Sequence, residues 1–210
     1  MKSFRIAALA AFMILTWTIV AYGTDTDIGE TPEIQYNATV AADLNAKAAA
    51  LASPVNIYEY LQNNAEFALY HGSRSGSINS FLGLRGNDVD LASTLIAMYR
   101  SRGYHARYAV GTIRVDASRV MNWLGVKNLD LAVSIMKDQG IQNVTLASDR
   151  SYIQFEHVWV EAQLPYGNYR GSGADAANGA CSTSSSNYHW VALDPSFKQK
   201  EYNDQDINPY

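Results

Sequence analysis

At 210 residues, with 48% hydrophobic and 17% charged residues, the chain is long enough for one well-packed domain. Residues 1–23 carry two of the 16 basic residues and none of the 20 acidic ones, which leaves 14 against 20 and a net charge of −6 beyond them. A mildly acidic domain is a poor match for a phosphate backbone, so nucleic acid is not an expected partner. The single cysteine, Cys181, excludes an intramolecular disulfide framework. There is no Cys-x-x-Cys, no His-Glu-x-x-His and no glycine-rich phosphate loop. Nothing argues for zinc, nucleotide or flavin, and no cofactor or metal is expected.

Lys2 and Arg5 precede an apolar run from Ile6 to Tyr22, and Ala21-Tyr22-Gly23 supplies small residues at cleavage-site spacing. Residues 1–23 therefore read as a signal peptide, which predicts a secreted, periplasmic or cell-surface protein with no stable membrane span after cleavage. The competing reading is an uncleaved anchor, because the run is near bilayer-spanning length. Residues 24–54 form an N-terminal extension. In it Thr24–Gln35 is polar and expected to be mobile, and Ala41–Leu51 puts Leu44, Ala48 and Leu51 on one face of a short helix. Ile57, Tyr60, Leu61 and Phe67 recur at helical intervals after Pro54 and predict a second helix, followed by a Gly/Ser-rich loop over Tyr70–Gly83.

The chain is organised around Leu84–Thr112. Gly86-Asn87-Asp88 supplies turn chemistry, with Asp88 placed to cap a helix beginning directly after it. From Val89, the residues Leu91, Ala92, Leu95, Ile96, Met98 and Tyr99 cover much of a helix's circumference, which predicts a central, buried helix. Arg100 and Arg102 suit its C-terminal dipole and Gly103 its stop. A strand comes next over His105–Val115, with Ala106, Tyr108, Val110 and Ile113 inward and a turn near Gly111. Asp116–Leu124 and Leu129–Lys137 read as two short helices, punctuated by Gly125 and Gly140. Gln142–Leu146, Tyr152–Leu164 and Tyr188–Asp194 read as strands. Between the last two, Gly167–Asn187 is a long Gly/Ala/Ser-rich loop.

Three blocks carry a family resemblance. The first is the Gly86-x-x-x-Asp90-x-Ala92 turn with its helix ending in Arg100-x-x-Gly103, then Ala106-Arg107-Tyr108-x-x-Gly111. The second is His157-Val-Trp-Val-Glu161, and the third is Trp190-Val-Ala-Leu-Asp-Pro-Ser-Phe-Lys198. In this order they resemble the transglutaminase-like (papain-like) core of the cysteine protease superfamily, over residues 55–198, with 199–210 left as a polar tail. The bacterial members that this chain resembles lie near the front of large secreted repeat proteins, which implies that it is part of one. The resemblance implies an α+β fold, a central buried helix packed on a small antiparallel sheet.

The resemblance also implies site residues. His157 stands at the base position and Asp194 at the orienting position, while the nucleophilic cysteine's place is taken by Asp88. A thiolate at a helix N-terminus, activated by an imidazole, is what such a site needs. A carboxylate cannot replace it in acyl transfer, so the catalytic site reads as degenerate, with Asp88 as an N-cap or as an ion-pair partner of protonated His157. Asp90, at the family's acidic position, has a structural role, and Cys181 is a free thiol in a flexible loop. Trp159 and Trp190 fall where tryptophans line the acyl channel, or are ordinary core aromatics.

Two functions are consistent with these residues. The first is a secreted transglutaminase-like module that binds a polypeptide or a cell-wall ligand. The second is an active acyltransferase or hydrolase that uses Cys181 or an Asp88-His157-Asp194 site.

Overall fold

The computed structural model describes residues 29–165 and 188–200. Its order is α1 (Ala42–Leu51), α2 (Pro54–Asn64), β1 (Glu66–Phe67), α3 (Gly76–Gly83), β2 (Arg85–Gly86), α4 (Asp88–Ser101), β3 (Ala106–Asp116), α5 (Ala117–Leu124), α6 (Leu129–Asp138), β4 (Thr145–Leu146), β5 (Tyr152–Leu164) and β6 (His189–Leu193). The architecture is α+β, a central helix on a small antiparallel sheet, as the family resemblance implies.

Helix α4 is the core. Every residue from Asp90 to Arg100 is buried, so this 14-residue helix, about 21 Å long, is enclosed all round. Its N-cap corrects the sequence reading. Asn87, not Asp88, adopts the extended cap conformation and accepts the Asp90 N–H at 2.9 Å, which leaves Asp88 as the first helical residue. Gly86 is required just before it, because a Cβ there would lie 2.9 Å from Cβ of Asp90.

β5 is the axis of the sheet. β3 runs antiparallel along one edge through eleven residue pairs, and the other edge is shared by β4 at one end and β6 at the other. Alternation along β5 makes two layers. Val160, Ala162 and Leu164 join Leu91, Leu95 and Tyr99 of α4 and the buried faces of α1 and α2. Ile153, Phe155 and Trp159 join Trp123 of α5 and Met136 of α6 on the opposite face. Helices therefore cover both faces of the sheet.

Other departures have local causes. The expected loop over Tyr70–Gly83 contains α3, whose first amide, that of Gly76, is held with those of Arg74 and Ser75 just before it by the buried Asp90 carboxylate. The expected mobile arm is ordered where it is described, with Ile34 fully buried and Arg100 donating to the Gly29 carbonyl. Phe67 leaves the second helix for β1. β3 passes straight through Gly111, and Val110, read as inward, is 46% exposed.

Candidate active site

Two local structures aim groups at one point. The first is the start of α4. Asn87 donates through Nδ2 to the carbonyls of Tyr70 and Gly72, both at 2.9 Å, and so ties the preceding loop to the helix N-terminus. Asp90 holds the same loop from below. Its carboxylate accepts from the Tyr70 hydroxyl at 2.5 Å, from Ser73 Oγ at 2.8 Å, and from the amides of Arg74, Ser75 and Gly76. Burial would raise the Asp90 carboxyl, but these donors outweigh it and keep it below the usual carboxylate range. The result is a rigid rim beside Asp88.

The second is an interval on β5. β4 reaches only to Gln154, and β6 comes no nearer than Val160, which pairs with its last residue, Leu193. Between them the N-terminus of α4 meets the strand. Glu156 donates its N–H to the Gln142 carbonyl at 2.9 Å, and Val158 donates its N–H to Oδ2 of Asp88 at 3.0 Å. Oδ1 of Asp88 accepts the Val89 N–H at 3.0 Å. Asp88 thus stands in for a missing strand.

His157 is 3% exposed, with Nδ1 3.3 Å from Oδ2 of Asp88 and Nε2 2.8 Å from Oδ2 of Asp194. Trp123 and Phe155 meet its ring edge-on, with centroids at 6.0 and 5.9 Å. Asp194 is held by its own turn, since Oδ1 accepts from Ser196 N–H at 2.9 Å, Ser196 Oγ at 2.7 Å and Phe197 N–H at 3.2 Å. Burial would lower the imidazole's pKa, but Asp194 and then Asp88 outweigh it and raise it to about 10. The same contact holds Asp194 below its ordinary value against burial that would raise it. At neutral pH the ring is an imidazolium donating to a carboxylate on each side. It has no free nitrogen to serve as a base. Ser196 Oγ lies 3.5 Å from Nε2, but that serine is fully buried and donates to Asp194, so it is no accessible nucleophile.

Asp88, His157 and Asp194 are therefore brought into contact, while Cys181 lies outside the described residues. Trp159 is 7% exposed, with its ring over Gly111. Trp190 stands opposite Gln163, toward the far end of β5, beneath the Arg107 guanidinium at 4.2 Å. Neither tryptophan lines the cleft beside Asp88. That cleft, about 190 Å³, is walled by His71, Asp88, Val89, Ile141, Glu156 and Val158. A larger depression, about 240 Å³, lies between the start of α1 and α3 and holds none of these groups. Among the described residues, no cluster of His, Cys, Asp and Glu could hold a metal.

Comparison with known families gives a match to the transglutaminase-like superfamily over residues 38–195. The chain belongs to that superfamily. The transglutaminase-like region so defined takes in all of α1 to β6 as well as the Asp88-His157-Asp194 contact. A solved structure of the periplasmic domain of TgpA from Pseudomonas aeruginosa, bound to ethylmercury, is similar at 13% identity and a TM-score of 0.40. The alignment covers 81% of this chain and 47% of that one, so this chain spans about half the length of that domain. No curated protein matches. Among the described residues no helix is long and apolar enough to cross a membrane.

The sequence pattern did not disclose four contributors: Asn87 as cap, Ser196 in the Asp194 turn, Trp123 against the imidazole, and Glu156 in the cleft. Asn87 had a readable signal, an Asx residue one turn ahead of an apolar helical run. Trp123 had none, since nothing in its helix points to His157.

Proposed function

We propose that this protein is a secreted transglutaminase-like module without thiol-based acyl transfer, and that it binds a polypeptide or wall-associated ligand at the α4 cleft. One observation carries the reading: a carboxylate occupies each nitrogen of His157. In a thiol enzyme of this kind, one imidazole nitrogen activates the nucleophile and the other is oriented by an acid. Here the Asp88 carboxylate sits on the nucleophile's side, at the N-terminus of the central helix. A carboxylate attacks amides poorly, and an imidazolium with a pKa near 10 is neither a base nor a ready acid at neutral pH. The cleft keeps its walls, so recognition is the function left to it.

Contact among Asp88, His157 and Asp194 also supports a second reading, an acid–base enzyme built on those three groups. Amine incorporation into a glutamine peptide separates the two, run on the protein and on Asp88→Cys side by side. The binding reading expects silence from the native protein and measurable transfer from Asp88→Cys. Transfer by the native protein that disappears with His157→Gln would sink it.

A further inference from the structure

Resting on the reading of the cleft as a polypeptide-binding site, we propose that it takes a cationic side chain of the bound chain, lysine or arginine, with a neighbouring apolar residue against Val89, Val110 and Val158. Three observations converge on that chemistry.

The first is an excess of acceptors. On β5 the even-numbered residues turn their N–H and C=O groups away from β3, because Gln163, an odd one, donates to the His105 carbonyl on the β3 side. In the interval between β4 and β6 the two amides facing outward are already used, Glu156 by Gln142 and Val158 by Asp88. The carbonyls of Glu156 and Val158 accept no hydrogen bond from any described residue. The interval therefore offers acceptors and no donors, which suits a group carrying several N–H bonds.

The second is charge. His157 and Asp194 offset one another, while Asp88 and Glu156 both line the cleft. Glu156 makes no ion pair among the described residues. Arg114, the nearest cation along β3, lies over the Tyr152 ring at 3.9 Å and donates to its hydroxyl, so it points away from the cleft. A guanidinium or ammonium would be matched by a carboxylate and by the free carbonyls together.

The third is an apolar ledge. Val110 on β3 stands directly opposite Val158 on β5, and Val158 and Val89 line the cleft. Val110 is 46% exposed, and Thr112 and Arg114, next on the same face of β3, are exposed with it. The ledge continues the acidic cleft along the sheet, as one residue of an extended chain succeeds another.

The test is an amide NMR titration of the full chain with three blocked tripeptides, valine–X–alanine, in which X is arginine, lysine or citrulline. Arginine or lysine peptide is expected to move the amides of Val89, Glu156 and Val158, and citrulline to bind at least tenfold more weakly. Glu156→Gln should weaken the cationic peptides about tenfold and leave citrulline unchanged. Whichever cation binds more tightly names the side chain. Equal binding of citrulline, or indifference to Glu156→Gln, would overturn the cationic site and leave polypeptide binding standing. Silence from all three, together with silence from a mixed peptide library, would remove both.

Discussion

Asp88 and Val158, 70 residues apart in the chain, share a 3.0 Å hydrogen bond that fills the interval left between β4 and β6 on the edge of β5. The same oxygen reaches Nδ1 of His157 at 3.3 Å. One carboxylate thus has two tasks, satisfying a strand amide and holding an imidazolium. The tasks can be separated by substitution.

Asp88→Asn keeps an oxygen for the Val158 amide and removes one of the two charges on His157. The imidazole pKa, tracked by NMR of the ring nitrogens, is expected to fall by at least one unit while remaining above 6.5, because Asp194 stays in place at 2.8 Å. No movement would mean that Asp88 is too well solvated to act on the ring. Asp88→Ala should in addition cost about 1–3 kcal/mol, since it leaves the Val158 amide without its partner.

Trp123 is predicted to be the main wall of the site. It is 2% exposed, donates from Nε1 to the Ser196 carbonyl at 2.9 Å, and packs against Phe67, Phe155, His157 and Phe197. Trp123→Ala is expected to cost about 3–5 kcal/mol. It should also loosen the Asp194 turn, seen as faster hydrogen exchange at Ser196 and Phe197. A stability loss with unchanged exchange there would make Trp123 a core residue only.

The central helix, the long β5 strand and the order of the three blocks were legible because each element is a period: 3.6 in α4, two in β5. The features that escaped notice depend on contacts distant in sequence. Helix α3 is hidden in a Gly/Ser-rich run, and its start is fixed by Asp90, 14 to 16 residues away. Gly111 read as punctuation, yet it is a close approach, since a Cβ there would lie 3.1 Å from the Trp159 ring. Val110 continued the inward register of Ala106 and Tyr108, but the helical layer ends before it. The interval on β5 arises from how far the pairings of β4 and β6 extend along it, and no residue type announces that.

Asp90→Asn should unlock the rim of the cleft. The substitution removes a buried charge that five donors were arranged to meet, and its amide would face backbone N–H groups with a donor of its own. A loss of about 3–5 kcal/mol is expected. Exchange over Tyr70–Gly76 should rise before that of β3 does. Equal acceleration in both would place Asp90 in the global core rather than in the rim.

Between pH 6.5 and 10 the pH dependence of stability is set by His157 and Lys198, which act in opposite directions. His157 has a folded pKa of about 10 against an unfolded 6.5, so its contribution is complete below pH 6.5 and is lost as pH rises toward 10. Lys198, whose Nζ donates to the carbonyls of Leu61 and Gln62, is lowered by burial to about 8 from 10.5. Between those two values the unfolded chain binds the extra proton, so stability there rises with pH. Stability should therefore fall from pH 6.5 to about 8, by roughly one kcal/mol per pH unit at most, and then level off toward pH 10, where the two terms offset. Denaturant unfolding at closely spaced pH values measures this. His157→Gln should remove the first slope and unmask the rise from Lys198, whereas Lys198→Met should extend the fall to pH 10. A native profile that stays flat between pH 6.5 and 8 would mean that the unfolded chain already holds the proton, and that the two carboxylates do not grip His157 as their distances imply.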